Sequence, residues 1–96
     1  MIVSVIGLGY IGLPTAAILA TSEITAHGSS EQILVVGIDV NQHAVDTINQ
    51  GKIHFVEPDL EMLVKAAVED GNLRATVQVE KADVFMVAVP TPFKGN

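Results

Sequence analysis

Three glycines and one aspartate hold the chemistry that can be read first from this sequence. Gly7-Leu8-Gly9-Tyr10-Ile11-Gly12 matches G-x-G-x-x-G, and it lies between a β-rich run, Ile2-Val3-Ser4-Val5-Ile6, and an apolar stretch. In that setting each glycine has a physical role. Gly7 permits the tight turn out of the strand, and Gly9 lets a pyrophosphate approach the backbone with no Cβ in the way. Gly12 lets the following helix press against the strand. The N–H groups of Tyr10 and Ile11 have no intrahelical partner at a helix start, so they are available to phosphate oxygens. A glycine turn that merely packs helix on strand would show the same three letters.

Asp39 closes the next apolar run, Ile33-Leu34-Val35-Val36-Gly37-Ile38. A carboxylate there can accept both hydroxyls of an adenosine ribose, and the competing role is an ordinary turn aspartate. It stands 27 positions beyond Gly12, against a usual separation of about 20. The excess fits into the polar stretch from Ser22 to Gln32, which the Gly28-Ser29-Ser30 turn signal marks as an inserted surface loop. Asp39 also bears on the choice of cofactor. Unit charges about 4 Å apart interact by roughly 4 kcal/mol at an effective dielectric of 20. A 2′-phosphate would meet that repulsion, and Val40-Asn41-Gln42 offer no cation to offset it. NAD is therefore expected rather than NADP.

These residues need a scaffold of alternating strands and helices. A helix is expected from about Ile11 to Thr21, with Pro14 confined to its first turn because proline has no N–H to donate. Asn41 is placed to cap a helix that buries Ala44, Val45 and Ile48, with Gly51 after its end. Pro58 opens another helix, with Asp59 and Glu61 near the positive end of its dipole. In it Leu60, Leu63, Val64 and Ala67 share one face, and Gly71 ends it. Ala75 to Val79 is expected as a third strand and Asp83 to Val89 as a fourth. The resulting class is α/β: the first half of a Rossmann-type doubly wound parallel sheet, about four strands with helices on both faces. Such a fold normally continues with a second βαβ half. Residues 1–96 are therefore expected to be one nucleotide-binding domain cut short, with any substrate domain absent.

Composition narrows the function further. A net charge of −6 argues against nucleic acid or an anionic membrane as the main partner. No cysteine is present, which removes disulfides, thiolate metal sites and a cysteine nucleophile, and fits a cytoplasmic protein. The uncharged run from Ile2 to Ala20 has no preceding Lys or Arg, as a signal peptide would require, and is too rich in Gly and Pro for a spanning helix. His27, His43 and His54 lack metal-ligand spacing and are expected on solvated surfaces. Met62 and Met86 are expected in the core. Thr91 follows the fourth strand, where ligands of this fold sit, and it fits a ligand contact or an ordinary turn threonine equally.

The chain resembles the UDP-sugar 6-dehydrogenase family along essentially its whole length. The resemblance lies in Val5-Ile6-Gly7-Leu8-Gly9-Tyr10-Ile11-Gly12-Leu13-Pro14, Glu57-Pro58-Asp59-Leu60 and Val89-Pro90-Thr91-Pro92. The segments from Asp39 to Asp46, from Ile53 to Pro58 and from Pro92 to Gly95 are most similar to the branch that oxidises UDP-N-acetyl-D-mannosamine. The resemblance implies NAD contacts at Tyr10, Ile11, Asp39 and Thr91. It also implies two successive NAD-dependent oxidations of a sugar C6 alcohol to a carboxylate. A cysteine, a lysine and an asparagine that carry this chemistry in the family have no counterpart in these residues, nor do the sugar-binding domain and the dimerising helix. The chain alone is thus expected to turn over nothing, and its parent to be a homo-oligomer. A non-catalytic NAD-sensing regulatory domain would share the glycine turn and Asp39 but leaves the two proline-containing signatures unexplained. A flavin or S-adenosylmethionine domain would share the first strand and turn alone.

Overall fold

The computed structural model describes residues 1–26 and 29–88, with side chains described outside 23–32. The elements run β1 (Ile2–Ile6), α1 (Gly12–Ala20), β2 (Glu23–Ala26), β3 (Ser29–Gln32), β4 (Leu34–Ile38), α2 (Gln42–Asn49), α3 (Pro58–Glu69), β5 (Leu73–Thr76) and β6 (Val84–Val87). Four strands form a parallel sheet in the order β5-β4-β1-β6. The register places Val3 beside Val35 and Val84, Val5 beside Gly37 and Met86, and Val35 beside Leu73. None of the described helices is long and apolar enough to cross a membrane.

Register-paired residues project to the same face of a sheet, which separates the two faces here. Val3, Val5, Val35, Leu73 and Ala75 join one core with Leu13, Ala16 and Ala17 of α1, Val45 and Ile48 of α2, and Leu60, Val64 and Ala67 of α3. All three helices therefore lie on one face. This refines the expectation of helices on both faces. The crossovers β1 to β4 and β4 to β5 step in the same direction, and the same right-handed sense puts their helices on the same side. The step from β5 back to β6 crosses the sheet through residues 77–83, which hold no helix. Glu80 in that link pairs with Arg74, and Arg74 shares the second face with Val36. The link thus runs across the second face as a strap, and Ser4, Val36 and Ile38 are buried on that face. The Arg74 guanidinium hydrogen-bonds the Glu80 carboxylate and holds it below the usual carboxylate range.

Local chemistry accounts for two helix starts. The Asn41 side chain accepts the Ala44 N–H and caps α2, and Pro58 occupies the first turn of α3. Elsewhere the structure departs from the expectations drawn from sequence. The stretch from Ser22 to Gln32 is not a plain loop: β2 and β3 pair antiparallel, with Glu23 opposite Gln32 and Ala26 opposite Ser29. The third strand begins at Leu73, two residues earlier than expected, because Leu73 and Ala75 alternate into the core while Val77 and Val79 point out. Met62 is 74% exposed, since it lies two residues past Leu60 and hence across the helix from the buried stripe. Met86 is also exposed; it sits on β6, beyond α1, which lies over β1 and β4. Leu63 is half exposed rather than buried.

One contact at the β5 flank bears on the edge of the sheet. Asn49, at the end of α2, donates from Nδ2 to the Ala75 carbonyl at 2.9 Å and accepts the Ala75 N–H at 2.8 Å. Its amide thereby matches both backbone groups of the middle of β5.

Candidate functional site

The carboxyl ends of β1, β4 and β6 meet at the glycine turn. Gly7 has φ +95°, a left-handed conformation that favours glycine, and its N–H donates to the Ile38 carbonyl at 2.7 Å. Gly12 is required by space. A Cβ there would stand 1.6 Å from the Gly7 carbonyl oxygen, so helix and strand end could not approach as they do. Gly9 differs: a Cβ on it would meet nothing within 4 Å. The first intrahelical bond runs from the Leu13 N–H to the Gly9 carbonyl, followed by Thr15 N–H to Ile11. The backbone N–H groups of Tyr10 and Ile11 thus precede the first donor of the helical ladder.

Two shallow cavities flank the turn. One, of about 160 Å³, is lined by Gly9, Tyr10, Ile11 and Ala88. The other, of about 120 Å³, is lined by Ile6, Gly7, Ile38, Asp39 and Val40. The Ala88 N–H donates to the Ile6 carbonyl at 2.7 Å, which brings the end of β6 to the first cavity. Asp39 sits beside the second, half-buried at the end of β4. Its Oδ2 accepts the Leu8 N–H and its Oδ1 the Asn41 N–H, each at 2.9 Å. The structure therefore gathers Gly7, Gly9, Tyr10, Ile11, Gly12 and Asp39 at one rim. Thr91 and the segment around it lie outside the described residues, as does His27.

An aromatic stack beside this rim was not visible in the sequence. Tyr10 is 77% exposed, yet its ring lies on Phe55 with centroids 4.5 Å apart and planes tilted by 40°. His54 meets Phe55 edge-on at 5.0 Å. His54 is thus half-buried in this stack rather than solvated, and its Nδ1 is buried with no hydrogen-bond partner among the described residues. The available signal was the apolar run Ile53-His54-Phe55-Val56 inside an otherwise polar connection. Phe55 packs on the core, so it fixes Tyr10 from below.

The residues fit a dinucleotide: an open backbone approach at Gly9, a carboxylate at the neighbouring strand end and a cavity on each side. Residues 1–96 match the model of the UDP-glucose/GDP-mannose dehydrogenase family, NAD binding domain. The NDP-N-acetyl-D-galactosaminuronic acid dehydrogenase of Ralstonia nicotianae is 63% identical over 94 residues, covering 98% of this chain and 20% of that protein. The UDP-N-acetyl-D-mannosamine dehydrogenase of Escherichia coli (strain K12) is 60% identical over 94 residues, with the same coverage. Among solved structures, the UDP-N-acetyl-mannosamine dehydrogenase of Staphylococcus aureus superposes with a TM-score of 0.83 at 36% identity, covering 100% of this chain and 21% of that one. The chain belongs to the UDP-glucose/GDP-mannose dehydrogenase family and corresponds to its NAD-binding domain. It spans about one fifth of the length of these relatives.

Proposed function

We propose that this chain is the NAD-holding part of an enzyme that oxidises the C6 alcohol of UDP-N-acetyl-D-mannosamine to a carboxylate. The observation that carries the cofactor reading is the open space at Gly9, set between two cavities and beside Asp39. In this reading the pyrophosphate lies against Gly9 and takes the N–H groups of Tyr10 and Ile11. Gly7 and Gly12 shape the turn, Asp39 accepts the ribose hydroxyls, and Thr91 meets the cofactor after the fourth strand. NAD supplies the hydride acceptor, and the residues of this chain bind and orient it.

The sugar assignment rests on likeness to the mannosamine dehydrogenases at 60% identity, together with the segments from Asp39 to Asp46 and Ile53 to Pro58. A relative at 63% is named for N-acetyl-galactosaminuronic acid, so both readings share an N-acetylated sugar on a nucleoside diphosphate. Residues 1–96 contribute no catalytic side chain and act within a longer, cytoplasmic, homo-oligomeric protein that supplies the sugar site. The test is to give the intact protein NAD with UDP-N-acetylmannosamine, UDP-N-acetylgalactosamine or UDP-glucose and to follow NADH absorbance. Fastest turnover is expected with UDP-N-acetylmannosamine. Preference for another sugar would reassign the substrate, and turnover of none would overturn the enzyme reading.

A further inference from the structure

We propose that Asp39 is also a positioning residue, whose carboxylate holds the glycine turn in shape and so couples the ribose and pyrophosphate subsites. The inference rests on the NAD reading above. A residue that only reads ribose would need an exposed carboxylate and nothing more. Asp39 is built into the turn instead. Its Oδ2 takes the N–H of Leu8, the residue immediately before Gly9, and its Oδ1 takes the N–H of Asn41, which caps α2.

Leu8 is held on every side. The preceding amide, Gly7 N–H, is bonded to Ile38. The Leu8 side chain is fully buried and fills the space that a Cβ on Gly37 would need, with its two methyl carbons 2.8 and 2.9 Å from that point. Two consecutive amides of the turn are thus tied to two consecutive residues at the end of β4, one through a carbonyl and one through a carboxylate. A charge-assisted hydrogen bond of this kind is about twice as strong as a neutral one. Losing it would release the peptide that leads into Gly9.

The acceptor count supports both roles at once. An ionised carboxylate has about four lone-pair sites. Leu8 and Asn41 take one on each oxygen, which leaves capacity for two ribose hydroxyls without breaking either tie. A 2′-phosphate cannot donate in this way and would push the carboxylate off, so the turn would loosen as the ribose site is lost. Discrimination against NADP then includes damage at the pyrophosphate subsite.

The test separates reading ribose from holding the turn. Affinities are measured by calorimetry on the intact protein, wild type, Asp39→Ala and Asp39→Asn. The ligands are NAD and an NAD analogue whose adenosine ribose lacks both the 2′ and 3′ hydroxyls. Asp39→Ala should weaken the dideoxy analogue by about tenfold, although that ligand offers Asp39 nothing to bind. The isosteric Asp39→Asn, which can accept one of the two amides, should fall between. In the ligand-free protein, hydrogen exchange at the Leu8 amide should speed up in Asp39→Ala, and to a smaller extent in Asp39→Asn, while Val5 stays protected. Equal affinity of wild type and Asp39→Ala for the analogue, or unchanged Leu8 exchange, would overturn the proposal. Should wild type bind neither nucleotide, the NAD reading fails and Leu8 exchange still decides the tie. If Asp39→Ala does not fold, Asp39→Asn carries both measurements.

Discussion

Gly9 and Gly12 stand three residues apart on one turn, yet they answer to different partners. Gly12 forms the floor, where a Cβ would collide with the Gly7 backbone. Gly9 forms the mouth, where a Cβ would meet no protein atom within 4 Å. The floor is shaped by the fold, and the mouth has a shape that the fold alone does not need. The same division runs through their neighbours. Leu13 and Leu8 are buried under the turn, whereas Tyr10 and Ile11 are exposed at its rim. A residue whose smallness serves no internal contact, between Leu8 and Gly12, which are both held by the fold, points to a ligand.

Substitutions should split along this line. Gly12→Ala is expected to have the largest effect: the clash is with backbone and no side chain can move aside. Overpacking of this kind costs about 1–3 kcal/mol or more, a large share of the margin of a small domain. Thermal melts should show loss of the cooperative transition or a fall of more than about 10 °C. Gly9→Val should leave the melt within a few degrees of wild type and yet weaken NAD by at least about a hundredfold, since its branched Cβ occupies the pyrophosphate approach. Calorimetry and a melt on one preparation check both halves, and retained NAD affinity would remove Gly9 from the mouth.

Phe55→Ala probes the link between the two regions, because Phe55 packs on the core below and carries Tyr10 above. Aromatic pairs contribute about 0.5–1.5 kcal/mol beyond burial. NAD affinity should therefore drop several-fold, with Tyr10→Phe keeping most of it. Equal affinities for wild type and Phe55→Ala would cut the stack out of the site. The smallest effect is expected on the second face, at Glu80→Gln. The hydrogen bond from Arg74 lowers the Glu80 carboxyl. Its contribution is thus present above the ordinary carboxylate range and lost as pH falls through the depressed value. Wild type should melt slightly above the variant at pH 7, and the two should converge in acid and in high salt. NAD affinity should be the same in both.

The rim was legible in the sequence because its constraints are local. A strand, three spaced glycines and a proline in the first turn leave few conformations for Gly7 to Pro14, and Asn41 and Pro58 mark helix starts by their own hydrogen-bonding limits. Asp39 was legible as a charge, but its ties to Leu8 and Asn41 were not, since a bond across 31 positions follows from sheet register. The pairing of β2 with β3 was missed because Ser29-Ser30-Glu31-Gln32 is wholly polar and the Gly28-Ser29-Ser30 signal reads as a loop. Met62 and Leu63 misled for the opposite reason. They are apolar, but only the stripe of Leu60, Val64 and Ala67 meets the sheet. The single helix layer depends on crossover direction, a property of topology that composition does not carry.

The pairing of Asn49 with Ala75 has a consequence for how the sheet can grow. An outermost strand presents open backbone groups, and these can recruit a strand from another molecule into a continuous ribbon. At the centre of β5 both such groups are already taken by one amide, 26 residues away in sequence. Asn49 thus acts as a stopper: an incoming strand would have to displace it and would find its two central rungs occupied. Because the stopper belongs to α2, docking of that helix fills the centre of this flank.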